Sequence, residues 1–138
     1  MHVCWGNYEG PHHRDVPLET ILPIVLRAKP QGLLFEASNP RHAHEWETIE
    51  KLAHLIPDDK VLIPGVLDST TNFIEHPRLV AQRIGRFADI VGRDRVIAGT
   101  DCGFGTFAGF GAVDADIVYA KFAAMADGAR QASARHWA

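Results

Sequence analysis

The sequence predicts an α/β fold in which four parallel strands alternate with four helices, as in the C-terminal half of a (β/α)8 TIM barrel. Short apolar runs recur along the chain, and a segment with apolar residues at helical spacing follows each of them. The runs do not alternate with polar residues, which is typical of parallel strands that are buried on both faces. A complete barrel has eight such units in about 250 residues, whereas this chain has 138 residues. A four-stranded open sheet is the competing architecture.

The predicted strands are four apolar runs of strand length. They cover residues 2–5, 32–35, 60–66 and 96–98. The first run starts almost at the first residue, and this missing lead-in favours a half barrel over an open sheet. Pro64 is expected to make the end of the third strand irregular, because proline cannot donate a ladder hydrogen bond.

The predicted helices follow the strands in turn. They span about 15–28, 43–55, 77–91 and 114–135. Asp15 is a suitable N-cap for the first helix, and Pro23 is expected to kink or divide that helix. His76 precedes Pro77 and is predicted to cap the third helix. In the fourth helix Phe122 is expected to face inward with the other large apolar residues.

Composition limits the classes of function. A chain of 138 residues with 46% hydrophobic content predicts one domain, residues 1–138, with a core of ordinary size. The net charge of −3 gives no reason to expect nucleic acid or an anionic membrane as a partner. No apolar run approaches the roughly 18 residues that span a bilayer, and no signal-peptide pattern opens the chain. A cytoplasmic location is therefore expected, where the two cysteines, Cys4 and Cys102, suggest metal binding or catalysis more than a disulfide.

Four potential metal ligands lie where three predicted strands end. His2 and Cys4 are two residues apart on one strand, so their side chains point to the same face. Glu36 closes the second strand, and Cys102 follows the fourth. The carboxyl ends of parallel barrel strands meet at one rim, so these residues can converge. Two thiolates, an imidazole and a carboxylate form a tetrahedral set suited to zinc, although two buried structural cysteines are an equally simple interpretation of the spacing.

Two aspartates on the same predicted rim are candidate catalytic residues. Asp68 follows the third strand, where it serves either chemistry or the turn itself. Asp101 precedes Cys102 and either orients the glycine-rich loop by accepting N–H groups or contacts a substrate amine. A nucleophile built on Cys102 and a histidine is conceivable.

The remaining histidines are weaker candidates. His12 and His13 lie in a polar loop and are expected to be solvated. His42 and His44 flank the start of a predicted helix, whose dipole disfavours positive charge there, so neutral imidazoles are expected at both positions.

Four segments together resemble the cobalamin-independent methionine synthase family. They are HVC at 2–4, FEASNPR at 35–41, PGVLD at 64–68 and DCGFGTF at 101–107. Their order is that of the carboxy-terminal, zinc-binding half of the family's catalytic barrel, and the resemblance covers nearly the whole chain. It implies a zinc site formed by His2, Cys4, Glu36 and Cys102, at which a small-molecule thiol is activated for alkylation by an alkyl donor.

The chain departs from the family pattern in two ways. Methionine synthases typically carry a histidine two residues after the aspartate of the third motif, whereas Ser69 and Thr70 follow Asp68 here. This departure favours a divergent branch, such as one related to the epoxyalkane:coenzyme M transferases. The family's first half barrel, with its amino-acid and folate contacts, also has no counterpart upstream of His2.

Two hypotheses therefore remain open. The first is zinc-dependent methyl or alkyl transfer to a thiol, of the homocysteine S-methyltransferase type or with coenzyme M or another thiol, which this chain alone is expected to perform incompletely. The second is a non-catalytic half barrel that associates with a second copy through its exposed strand edges and apolar face.

Overall fold

The computed structural model describes residues 1–106, 108–109, 111 and 113–137. Its four strands form one sheet in sequence order, and every neighbouring pair is parallel. The strands are β1 (His2–Val3), β2 (Gly32–Phe35), β3 (Val61–Leu67) and β4 (Gly99–Thr100). The helices are α1 (Leu18–Val25), α2 (Trp46–Lys51), α3 (Pro77–Val91) and α4 (Ala115–His136), with short 3-10 segments at Ala53–Leu55 and Arg93–Arg95. The alternation of parallel strands and helices confirms the predicted α/β class and is that of half a TIM barrel.

The core lies between the helices and one face of the sheet. Leu22 of α1, Ile49 of α2 and Leu62 of β3 are completely buried. Phe35 packs edge-on against Phe87 of α3, with ring centroids 5.6 Å apart. Each such side chain stabilises the fold by roughly 1.5–3 kcal/mol relative to an exposed one. The helices are therefore held to the sheet by the apolar side chains whose helical spacing predicts them.

The opposite face of the sheet corresponds to the interior of a barrel. Leu34 lies opposite His2 on β1 and opposite Ile63 on β3. Ile97, which precedes β4, is 55% exposed. Both β1 and β4 are edge strands of the described sheet. This inner face is thus apolar in its middle, and the residues at its carboxyl end form the candidate site.

Helices α3 and α4 pack closely beside the sheet. A Cβ atom at Gly128 would lie 2.5 Å from Cβ of Val80, so a larger residue does not fit at this crossing. The prediction that Phe122 faces inward is wrong, since its side chain is 38% exposed. Lys121 takes the inward position instead and is completely buried, with its ammonium group 2.9 Å from the Glu75 carboxylate. Pairing of the two charges makes this burial possible.

Several predicted boundaries differ from the structure. β4 is Gly99–Thr100 rather than 96–98, and Val96 makes only an isolated bridge to Leu62. Pro17 rather than Asp15 is the N-cap of α1. Pro23 does not divide α1, which ends two residues later. The segment predicted as one helix over 43–55 consists of turns, α2 and a 3-10 segment.

Other terminus predictions are confirmed. His76 caps α3, because its Nδ1 accepts the N–H of Arg78 at 3.1 Å. Asp114 caps α4 by accepting the N–H of Asp116 at 2.9 Å. Among the described helices, none combines the length and apolar character needed to cross a membrane.

Candidate metal centre

Three of the four predicted ligands come together at the carboxyl end of the sheet. The potential ligand atoms of His2, Cys4 and Cys102 all lie within 4.8 Å of one another. The sulfur of Cys102 is 3.5 Å from Nε2 of His2, although the two residues are 100 positions apart. His2 and Cys4 are exposed, and Cys102 is buried. Parallel pairing of the strands produces this convergence, because it aligns the ends of β1 and β4.

Glu36 lies beside this cluster, directly after β2, and is 1% exposed. Its Oε1 lies 3.6 Å from the sulfur of Cys102 and accepts the backbone N–H of Trp5 at 3.2 Å. Its Oε2 accepts the side-chain amide of Asn39 at 2.8 Å and a guanidinium N–H of Arg41 at 3.4 Å. One carboxylate oxygen therefore faces the thiols, while the other is held by the loop after β2.

The donor set fits a zinc ion. Zn–S bonds of about 2.3 Å and Zn–N or Zn–O bonds of about 2.0–2.1 Å at tetrahedral angles place neighbouring ligand atoms roughly 3.5–3.8 Å apart. The distances from the Cys102 sulfur to Nε2 of His2 and to Oε1 of Glu36 are 3.5 and 3.6 Å. Thiol and imidazole donors also suit zinc better than magnesium or calcium. His2, Cys4 and Cys102 could therefore hold one zinc ion, and Glu36 lies beside Cys102 as a possible fourth ligand.

The protonation of these groups follows from their surroundings. Burial, with the charges of Cys4 and Glu36 adding to it, raises the pKa of the Cys102 thiol. Burial also lowers the pKa of His2; the Glu36 carboxylate opposes this change, and the N-terminal ammonium group adds to it. A neutral imidazole is the form that binds metal, whereas both thiols must lose protons to do so.

Asp101 directly precedes Cys102 and is 2% exposed. Its carboxylate accepts backbone N–H groups of Ala37, Ser38 and Asn39 at 2.8–2.9 Å. Burial raises the pKa of Asp101 to about 7, although the three N–H donors act in the opposite direction. A Cβ atom at Gly65 would lie 2.0 Å from Oδ1 of Asp101, so only glycine leaves room for it. Asp101 thus fastens the loop after β2 to the loop after β4, and a catalytic role for it stays a prediction.

Asp68 is also engaged in its own loop. Its Oδ1 accepts the N–H and the hydroxyl of Thr70, both at 2.8 Å, and Oδ2 accepts the hydroxyl of Thr71 at 3.4 Å. Its own N–H donates to Glu75 at 2.8 Å. These contacts are those of an Asx turn, and a catalytic role for Asp68 stays a prediction as well.

A charged cluster that the sequence did not indicate lies next to Glu36. His42 is 3% exposed and stacks on Trp5, with ring centroids 4.0 Å apart. Its Nδ1 lies 2.9 Å from Glu45, and its Nε2 lies 3.2 Å from Asp15. Burial alone would lower the pKa of His42, but the hydrogen bonds and charges of Glu45, Asp15 and Glu36 outweigh it and raise this pKa. These contacts favour the charged form of His42, whereas the sequence predicted a neutral imidazole from the helix dipole; α2 begins only at Trp46, so that dipole does not start at His42.

The prediction for His12 also needs correction. Its Nδ1 lies 3.1 Å from both carboxylate oxygens of Asp15, so this imidazole is paired rather than simply solvated. The charged cluster borders a groove of about 280 Å³. Asp-x-Pro and His-x-x-Glu patterns are too common to predict such a cluster without knowledge of the loop path.

The arrangement defines a class of molecule, namely a parallel α/β half barrel with a candidate thiol and imidazole metal site at the carboxyl end of its strands.

A solved structure that it resembles is that of a B12-independent methionine synthase from Shewanella sp. W3-18-1 in complex with selenomethionine, with a TM-score of 0.67 and 21% identity. The match covers 85% of this chain and 30% of that protein, so the chain spans less than a third of its length. This likeness supports the fold. No protein-family model matches the sequence, and the comparison with curated proteins finds no match.

Proposed function

We propose that the chain provides the metal-binding half of an enzyme that transfers a methyl or another alkyl group to a thiol substrate. In this reaction the thiol loses its proton, its sulfur bonds to the alkyl carbon, and the donor departs with the electron pair of the broken bond. The observation that carries the proposal is the convergence of His2, Cys4 and Cys102 beside the buried Glu36. The likeness to a methionine synthase fold gives it independent support.

The four residues would hold Zn²⁺, which supplies Lewis acidity that lowers the pKa of a bound thiol. Glu36 contributes an oxygen whose direction is set by the N–H of Trp5 and the amide of Asn39. Asp101 keeps the loop after β2 against the loop after β4. We propose that these contacts hold the ligands in place before metal and substrate arrive, which reduces the entropic cost of binding both.

The acceptor thiol is proposed as homocysteine-like, with coenzyme M or another small thiol as the alternative. Ser69 and Thr70 follow Asp68, so the histidine of methionine synthases is missing at this point. That difference favours an alkyl donor other than folate. Because the chain spans 30% of the similar methionine synthase, the donor site and turnover are proposed to need a further half barrel.

Metal content of the purified chain tests the proposal. We expect about one zinc ion per chain, because two thiols and an imidazole lie within 4.8 Å of one another, and loss of zinc in His2→Asn and Cys102→Ser. His54→Asn is the matched control, since this exposed histidine lies outside the site. Zinc content is measured by elemental analysis after dialysis against a weak chelator. A wild-type chain that stays metal-free after reconstitution with zinc would contradict the proposal.

A second candidate function is that of a non-catalytic half barrel that pairs with a second copy. The exposed Ile97 on the inner face and the two sheet edges favour it. Transfer of an alkyl group to a thiol by this chain alone would exclude this alternative, and the assay is the zinc-dependent disappearance of the thiol in the presence of an alkyl donor.

A further inference from the structure

The loop after β4 carries Cys102 and has open space at two of its glycines. A Cβ atom at Gly103 or Gly105 would meet no atom within 4 Å. Asn7 reaches this loop from the segment that follows β1. Its Nδ2 donates to the hydroxyl of Thr106 at 2.6 Å and to the carbonyl oxygen of Gly103 at 3.1 Å. The Asn7 amide therefore contacts this loop on both sides of Phe104, whose ring also packs against Phe122 of α4 with centroids 5.6 Å apart.

The other end of the same amide reaches the loop after β3. Oδ1 of Asn7 accepts the hydroxyl of Ser69 at 2.7 Å. The oxygen of Ser69 in turn accepts the backbone N–H of Cys102 at 3.2 Å, and Ser69 is 1% exposed. Asn7 thus connects the loops after β1, β3 and β4, and two of these loops carry the thiols of the candidate site.

We propose that Asn7 is a positioning residue that clasps the Cys102 loop over the candidate metal site. Asparagine suits this role because its amide presents two donors and an acceptor in opposite directions. With the clasp closed, the sulfur of Cys102 stays beside His2 and Glu36; with the clasp lost, the glycine-rich loop opens and exposes the thiol. The clasp is a property of the metal-free chain, and only its effect on metal affinity rests on the proposed function.

Asn7→Asp tests the clasp with little change of shape. Aspartate keeps an acceptor for Ser69, but it removes both donors and places a carboxylate against the carbonyl oxygen of Gly103. In the metal-free protein we expect Cys102 to react with iodoacetamide on the order of tenfold faster, because loss of the two hydrogen bonds that Asn7 donates raises the open population by about that factor. Alkylation is followed by mass spectrometry of the Cys102 peptide, and each rate is divided by the Cys102 rate of the same protein unfolded in urea.

Asn72→Asp is the matched control, since it adds the same charge at an exposed position of the same rim. Thr106→Val removes one hydrogen-bond partner of Asn7 without adding charge. We expect it also to increase the rate at which Cys102 is alkylated. Urea unfolding checks that Asn7→Asp and Thr106→Val remain folded at the temperature of the alkylation. If Asn7→Asp does not fold, Thr106→Val decides the question. An unchanged Cys102 rate in the folded variants would overturn the proposal.

Zinc affinity gives the second measurement. We expect roughly 10- to 100-fold weaker zinc binding in Asn7→Asp, as for other residues that orient metal ligands, and no change in Asn72→Asp. Faster alkylation of Cys102 in a chain that binds no zinc even as wild type would support the clasp and refute the proposed function. Normal alkylation together with normal zinc binding would refute the clasp alone.

Discussion

At the residue scale, the candidate site depends on one glycine. A side chain at Gly65 would overlap Asp101, with a Cβ atom 2.0 Å from Oδ1 and 2.7 Å from the backbone nitrogen. Asp101 is also the residue that joins the loops after β2 and β4. Because the contact involves backbone as well as a side chain, the neighbours cannot simply rotate away.

We expect Gly65→Ala to reduce the free energy of unfolding by roughly 1–3 kcal/mol, the usual cost of overpacking. Gly103→Ala is the control, because a Cβ atom there meets nothing within 4 Å. Urea denaturation measures both. Equal stability of the two variants would show that Asp101 can move, and that its position is not set by Gly65.

The charged cluster predicts a pH dependence of stability. The pKa of His42 is raised in the folded protein, so its contribution is fully present below the unfolded value of about 6.5 and is lost as pH rises through the folded pKa. The pKa of Asp15 is lowered: burial acts against this, but the imidazoles of His12 and His42 outweigh it. The Asp15 contribution is therefore present above about pH 4 and lost as pH falls through the folded value.

We expect the stability difference between the metal-free wild type and His42→Gln to be constant from about pH 5 to 6.5 and to shrink at higher pH. Denaturant unfolding at several pH values measures it, with the exposed His54→Gln as the control. A difference that grows with pH up to about 6.5 and is constant above it would mean that the pKa of His42 is lowered in the folded protein.

At the element scale, α4 holds the loop after β3 through a buried ion pair. The ammonium group of Lys121 donates to Glu75 at 2.9 Å and to the carbonyl oxygen of Phe73 at 2.5 Å. Glu75 in turn accepts the N–H of Asp68. A helix that is distant in sequence therefore sets the path of the segment that leads from β3 to α3.

Lys121→Met is expected to cost about 3–5 kcal/mol, because it leaves the Glu75 carboxylate buried without its partner. Lys51→Met is the control: Lys51 pairs with Glu19, but the two side chains are 64% and 54% exposed, and such pairs contribute about 0–1 kcal/mol. Thermal and urea unfolding measure both variants. A cost below that of Lys51→Met would indicate that the loop rearranges to expose Glu75.

At the scale of the whole molecule, the sheet presents an apolar inner face and two free edges. Ile97 is 55% exposed on this face, beside Ile63 and Leu34. In a complete barrel, side chains of this kind fill the interior. We propose that a second copy of the chain covers the face when no other half barrel is present.

Ile97→Lys is expected to shift the chain toward the monomer, because a charge at the centre of an apolar interface is strongly unfavourable. Ile24→Lys is the matched control, since Ile24 is 60% exposed on the outer surface of α1. Light scattering after size-exclusion chromatography gives the mass. A wild-type chain that is monomeric at high concentration would contradict self-association.

The sequence by itself determined the order of the elements, the bounds of β2 and the caps of α3 and α4, because apolar spacing and capping residues act over a few positions. It also predicted that His2 and Cys4 lie close together, although β1 ends at Val3 and Cys4 follows it. Tertiary structure decided the rest. The partners of Asp101, Lys121, His42 and Asn7 come from segments that meet only when the strand ends align. The burial and the protonation of these side chains depend on contacts between distant segments, and a local sequence pattern does not contain this information.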